Sequence, residues 1–435
     1  MHKIRNLYSK FITSDLFIIF MFALNVLFWW LKLGTVMMIA SSIILLAIIL
    51  FNIDRTSIIS IALANVINYR IAKLEENFTI LIVFSVILLP FVIYDLVKHK
   101  IKYKNNIFIS LVIFFVVNII SLVNTNSETI KLGLIGVMQI AIYAIIFLYF
   151  YTYRKKGNFL NIAKNACAMG LAISMQFAIK FAQFDGDIIS KSVIDLGWGL
   201  SNYIAIVMSI IIPLTFYLYM NNQKNKFPLV CVVLFFLVVL LTFSKGSFLA
   251  WIVALIPFLI CAYIFSKQRR ILIIDGLCCL ILLGFLILVI SRVDVIWNGL
   301  VDYFEHMDSR GWFNDKGRLD IYRIGFEQFK KNPLFGAGSY TGQYYLELNI
   351  NYHNFIIQTI ATVGAVGLIS FGYYLFTIVK STLVNHYFNI SILFIFVLLT
   401  IHGLVDTTWY NPLVMVIMSI ILPSLIKKEE LTSIK

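Results

Sequence analysis

Charge is what this chain has least of. Asp, Glu, Lys and Arg make up 13% of its 435 residues, against 61% hydrophobic ones. The mean hydropathy of +0.92 lies beyond what a soluble globular protein needs to fill a core. The sequence contains no P-loop lysine motif, no Gly-x-Ser-x-Gly elbow and no His-Glu-x-x-His pair, which removes the commonest phosphate-loop, serine-hydrolase and zinc-peptidase readings. Cysteine is scarce too: Cys167, Cys231, Cys261, Cys278 and Cys279 all fall in apolar runs. None has metal-ligand spacing, and their odd number gives no closed disulfide framework. The alternating pattern of a membrane barrel is absent.

What is present is apolar length. Runs long enough to cross a bilayer recur from residue 15 to residue 426, so the expected fold is all-α, a polytopic helical membrane protein with about 12–14 transmembrane helices. The first hundred residues are the least regular, and "RTSIISIALANVINYR" at 55–70 would have to supply a short or tilted crossing before a span at 78–96. The formal net charge of +14 would suggest nucleic acid in a soluble protein, but here the Lys and Arg cluster in short loops. "KHKIKYK" at 98–104, "YRKKGNF" at 153–159, "NNQKNK" at 221–226 and "SKQRR" at 266–270 are basic and expected to be cytoplasmic, with the tail "KKEE". The basic start "MHKIRNLYSKF" is expected to lead into a retained first helix, since no small-residue cleavage site follows.

Four segments follow from this pattern: N-terminal membrane helices at 1–119, core membrane helices at 120–291, a large extracytoplasmic loop at 292–352, and C-terminal membrane helices with a short cytoplasmic tail at 353–435. A connection of this length usually has structure or function of its own. The loop is rich in aromatics: Trp297, Tyr303, Trp312, Tyr322, Tyr340, Tyr344 and Tyr345. Within it, "GRLDIYRIGFEQFKKNP" spaces Leu319, Tyr322, Phe326 and Phe329 as one face of an amphipathic helix lying on the membrane surface, stopped at Asn332-Pro333.

Few side chains are equipped for chemistry. His353 stands where the span at 354–378 begins. Unpaired N–H groups and the helix dipole disfavour an imidazolium there, and a neutral ring is what a general base needs. Gly364 and Gly367, eleven and fourteen positions on, return near the His353 face at ~100° per residue and would let a neighbouring helix approach closely. Arg318 and Arg323 offer planar forks suited to phosphate oxygens; contact with lipid headgroups or with Asp320 and Glu327 is the plainer alternative. Lys245, in "LTFSKGSFLAW", is a cation at a tight break between spans, and snorkelling would account for it equally. "GWGLSNY" at 197–203 offers Trp198 and Asn202 for sugar stacking and hydrogen bonding. "DGD" at 185–187 could suggest a metal-held nucleotide sugar, but that loop points away from the cytoplasm by charge.

Together these residues resemble the O-antigen ligase and polymerase superfamily of bacterial membrane glycosyltransferases. Its ligase signature is His, then Asn, Ser or Gln, nine residues, Gly, two residues, then Gly, Thr or Tyr. His353-Asn354, Gly364 and Gly367 fit it without a gap. "GRLDIYRIGFEQFKKNPLFGAGSYTG" resembles the family's outer-loop segment, "FSKGSFLA" its Ser-Arg-Gly break with Lys245 in the Arg place, and "GWGLSNYIA" its Trp-Asn start of a span. The similarity runs from about residue 120 to the C-terminus.

The resemblance implies a glycosyltransferase in the bacterial cytoplasmic membrane, with its active site facing outward and no metal or other cofactor. The donor would be an undecaprenyl-diphosphate-linked glycan, the acceptor a glycan or a lipid-linked glycan, in contact with membrane lipids and not with nucleic acid. His353 would help deprotonate the acceptor, with Asn354 beside it in a substrate-binding role. Arg318 and Lys245 would stabilise the leaving diphosphate, and inversion would follow from a single displacement. Joining lipid-linked repeat units, the polymerase reaction, is favoured on family frequency; transfer of a finished glycan to a different acceptor is the ligase alternative. A transporter or flippase fits less well, because ionisable residues within spans and two-fold repeats are not evident.

Overall fold

The computed structural model describes residues 2–68, 89–155, 158–183, 195–291, 316–346 and 351–426. They are helical almost throughout; among the described residues the only β pairing is an isolated bridge between Asp195 and Leu200. In chain order the helices are α1 (His2–Ile12), α2 (Asp15–Trp30), α3 (Gly34–Leu50), α4 (Ile58–Val66), α5 (Asn106–Ser121), α6 (Ile130–Thr152), α7 (Asn158–Ala182), α8 (Ser201–Asn221), α9 (Phe227–Leu241), α10 (Lys245–Phe265), α11 (Arg269–Ser291), α12 (Lys316–Lys331), α13 (Phe355–Thr382), α14 (Tyr387–Gly403) and α15 (Pro412–Ile421). Among these residues six helices are long and apolar enough to cross a membrane, and six shorter ones are apolar. The chain is an all-α polytopic membrane protein. The stretch 55–66 is helical, as the sequence suggested. The expected span at 78–96 lies largely outside the described residues, as do "DGD", Trp297, Tyr303, Trp312 and the tail "KKEE".

Two compact units divide the chain: residues 1–101, 152–248 and 255–303, and residues 102–151, 249–254 and 304–435. In the first, α8 is the central helix, with 83% of its apolar window buried. Buried polar side chains, costly in an apolar interior unless paired, are joined into a network. Gln176 Nε2 donates to Asn25 Oδ1 at 2.9 Å, Asn25 Nδ2 donates to the Ala64 carbonyl at 2.7 Å, and Gln176 Oε1 accepts from Trp198 Nε1 at 2.7 Å. This network ties α2, α4 and α7 to the segment leading into α8. Trp198 is 0% exposed. Its ring is covered by protein, so it packs this unit and offers no stacking face to a sugar.

The second unit is built on α13, which runs against α5 and α12. Its helix is broken. Gly364 adopts φ +76°, ψ −168° in the middle of α13, a region accessible almost only to glycine. The break is filled by the loop 333–338, "PLFGAG". Ala337 and Gly338 donate their N–H groups to the carbonyls of Ala361 and Thr362 at 2.9 and 3.0 Å, while Ala365 and Val366 donate to those of Pro333 and Leu334 at 2.9 and 3.2 Å. The backbone groups freed by the kink thus find partners in the loop, as irregular backbone among apolar helices requires. Gly336 faces Gly364 across this junction: a Cβ on Gly364 would overlap the Leu334 carbonyl, and one on Gly336 would overlap Thr362 and Val363. The end of α5 fixes the loop from the other side, with Asn124 Nδ2 donating to the Gly336 carbonyl at 2.7 Å and Ser339 Oγ donating to Asn118 Oδ1 at 2.8 Å. The close approach expected at Gly364 is made by a loop, which it admits into a broken helix, and not by a neighbouring helix. Gly367 lies one turn beyond, against the Val363 side chain.

Candidate active site

The start of α13 sets the site. Asn354 is the N-cap: its Oδ1 accepts from the N–H groups of Ile356 and Ile357 at 2.8 and 3.1 Å, the arrangement for which Asn is favoured at this position. Its Nδ2 donates to the Leu404 carbonyl at 2.9 Å, which draws the loop after α14 onto the α13 terminus. Both ends of the Asn354 amide are thus occupied by backbone.

His353, one residue earlier, has φ +50°, an uncommon conformation for any residue but glycine. Tyr322 of α12 holds it by donating to the His353 carbonyl at 3.3 Å. Its Nδ1 lies 3.5 Å from Asp406 Oδ1. Asp406 belongs to the loop that Asn354 ties down, so one cap side chain positions both members of the pair. Asp406 is 9% exposed, and its Oδ1 accepts from the Thr407 N–H at 2.7 Å. Burial works to raise its carboxyl, but the facing His353, the charge on His402 and the Thr407 N–H bring it below the usual carboxylate range. The side chain is a carboxylate at neutral pH.

A second histidine stands behind this pair. His402, 2% exposed at the end of α14, shares a 2.7 Å hydrogen bond between Nδ1 and Thr408 Oγ1. Its Nε2 is buried without a partner. Arg318, half-buried in the first turn of α12, is close enough to act on His402 electrostatically. The second unit therefore brings His353, Asp406, His402 and Arg318 into one region.

Helix α12 reaches it through Ile321, Tyr322, Ile324 and Phe329, which pack against Tyr352, Ile357, Ile360 and Ala361, and Gly325 allows the close approach to Tyr352 and Ile357. Of the apolar stripe expected on this helix, Tyr322 and Phe329 join that packing, while Leu319 and Phe326 are 64% and 47% exposed. Arg323 is exposed too, at 3.6 Å from Asp320 one turn away, a surface pair of small energetic weight. The helix ends at Lys331, ahead of Asn332-Pro333, as the sequence suggested.

The remaining expected residues lie in the first unit. Lys245 begins α10 after a turn in which Phe243 takes φ +52°. It is half-buried and has no partner among the described residues. The hydroxyls of Ser244 and Ser247 beside it are buried and unpaired. A half-buried ammonium at a helix N-terminus is suited to an anion. Asn202 is half-buried in the first turn of α8. Among the described residues no three of His, Cys, Asp and Glu gather as metal ligands.

The fold defines a class: a polytopic helical membrane protein with a His–Asp pair at the mouth of a broken helix. Residues 230–372, about a third of the chain, match the family described as O-antigen ligase, which supports the resemblance to the O-antigen ligase and polymerase superfamily. No curated protein matches the chain.

Proposed function

We propose that the protein joins lipid-linked oligosaccharide repeat units on the outer face of the bacterial cytoplasmic membrane, by inverting transfer from an undecaprenyl diphosphate. The observation that carries this reading is the His353–Asp406 pair. With Nδ1 turned to a carboxylate, the imidazole is left with Nε2 to accept a proton, the arrangement by which a carboxylate fixes the tautomer of a catalytic histidine. The acceptor hydroxyl gives its proton to Nε2 as its oxygen bonds to the anomeric carbon. The bond from that carbon to the diphosphate oxygen breaks, and its electron pair leaves with the diphosphate. Arg318 stabilises the charge that develops there, where fixed cations contribute most to catalysis. Lys245, half-buried at a helix start in its own unit, is a phosphate-binding candidate by the resemblance alone.

Transfer of a finished glycan to a different acceptor is the second reading, favoured by the ligase description of the matched family. One experiment separates them. Purified protein in detergent is given a single lipid-linked repeat unit and no other acceptor, with His353→Ala in parallel. A ladder of longer glycans, absent with the variant, is the expected result. No ladder from a competent donor transfers the assignment to the ligase reaction, and a ladder from His353→Ala removes the histidine from the mechanism.

A further inference from the structure

The first unit contains a cavity of about 280 Å³ that the proposed reaction does not use, on the side of the basic loops. It sits where α2 and α7 begin, beside the turn at 55–57 that leads into α4. Helix N-termini carry partial positive charge and favour anions. A single helix end would mean little, but the cavity is also lined by polar side chains without partners. Asn158 and Ser60 are 9% and 1% exposed, and neither side chain has a hydrogen-bond partner among the described residues. Both residues line the cavity, where their polar groups are open to a ligand that fills it.

The charges in the cavity are of both signs. Lys164 Nζ lies 2.7 and 2.8 Å from the two carboxylate oxygens of Asp15, and Asp54 Oδ2 accepts from Lys155 at 2.6 Å. A simple anion entering the cavity would meet two carboxylates, and a simple cation would meet Lys164 and the helix ends. A phosphate joined to an ammonium by a short linker satisfies both. The phosphate takes Lys164, Asn158, Ser60 and the helix N-termini. The ammonium takes Asp15, so the exposed Asp15–Lys164 pair is exchanged for two new ones. Ile18, also in the lining, gives the cavity an apolar edge where α2 enters its hydrophobic stretch, the depth at which a headgroup continues into its acyl chains.

We propose that this cavity binds a phosphoethanolamine group, as carried by the headgroup of phosphatidylethanolamine. The proposal is independent of the glycan-transfer reading, since its test measures lipid retention. The full-length protein is equilibrated in detergent with phosphatidylethanolamine, phosphatidylcholine or phosphatidylglycerol of identical chains, and bound lipid is counted by native mass spectrometry. Phosphatidylethanolamine is expected to be retained above the other two, because choline cannot donate N–H bonds and glycerol brings no cation. Lys164→Met and Asp15→Asn, both at exposed side chains, are each expected to weaken retention roughly tenfold, the loss of one charge-assisted contact. Equal retention of the three lipids, or full retention in both variants, overturns the proposal. The comparison of lipids on the unaltered protein decides even where a variant does not fold. Soluble glycerophosphoethanolamine then identifies the source: displacement of lipid shows that the free headgroup suffices, and persistence of the lipid shows that the acyl chains are needed as well.

Discussion

At the scale of single residues, the proposed base was legible and its partner was not. His353 announces itself as an isolated histidine at the start of an apolar run, and its position in sequence is its position in space. Asp406 reaches it from a different loop, through a contact no local spacing encodes. A signal was nonetheless present: Asp406 is the single acidic residue between Glu347 and Glu429, and a lone carboxylate between apolar helices is costly unless it has work to do. Asp406→Asn keeps an acceptor for the Thr407 N–H while removing the charge that faces His353. It is expected to lower turnover by roughly 10²–10⁴-fold, the range of a general base, while the protein remains folded; turnover within twofold of the unaltered protein would remove Asp406 from the mechanism. Asn354 separates two further roles. Asn354→Ala loses the cap, at a cost of about 1 kcal/mol, and loses the tie to Leu404. Asn354→Ser keeps the cap and loses only the tie, so stability measured by thermal melting should survive while glycan transfer falls.

Elements were read less well than residues because apolar surroundings blur helical faces. In water a helix declares its buried side by polarity, but beside lipid both sides are apolar and periodicity alone cannot tell protein from hydrocarbon. Leu319 and Phe326 of the apolar stripe face outward, while Tyr322 and Phe329 of the same stripe join Ile321 and Ile324 in the contact with α13. The break in α13 was hidden for a related reason. Its sequence is apolar from Phe355 to Leu368 apart from Gln358 and small or hydroxyl residues, so Gly364 reads as a packing glycine until the loop that fills the kink is seen. Gly364→Ala is expected to cost at least about 3 kcal/mol, from a backbone region closed to other residues and from overlap with the Leu334 carbonyl. Gly367→Ala meets only the Val363 side chain and should cost less. Equal melting temperatures for the two variants would show that the kink does not depend on glycine at 364.

For the whole molecule, class was the easiest property to read, because apolar length and loop charge are local sums that need no knowledge of contacts. The buried network of Asn25, Gln176 and Trp198 shows what such sums miss: Trp198 looked like a surface aromatic until its N–H was found on Gln176. The same distinction governs the response to pH, which depends on the few ionisable groups whose surroundings the fold has changed. His386 caps α14 by accepting from the Phe388 N–H at 3.2 Å, and burial lowers its value from the ordinary 6.5. Its contribution is present above 6.5 and is lost as the pH falls from there through the folded value. Asp54, where burial is outweighed by Lys155 and Thr56, and Asp406 both lie below the ordinary 3.8, so their contributions persist to more acid conditions and go only as the pH falls through their lowered values. Stability of the detergent-solubilised protein should therefore decline in two stages on acidification, the first below 6.5 and the second below 3.8. His386→Asn supplies a cap that does not titrate and should reduce the first stage alone. An unaltered first stage in that variant would assign it to another group.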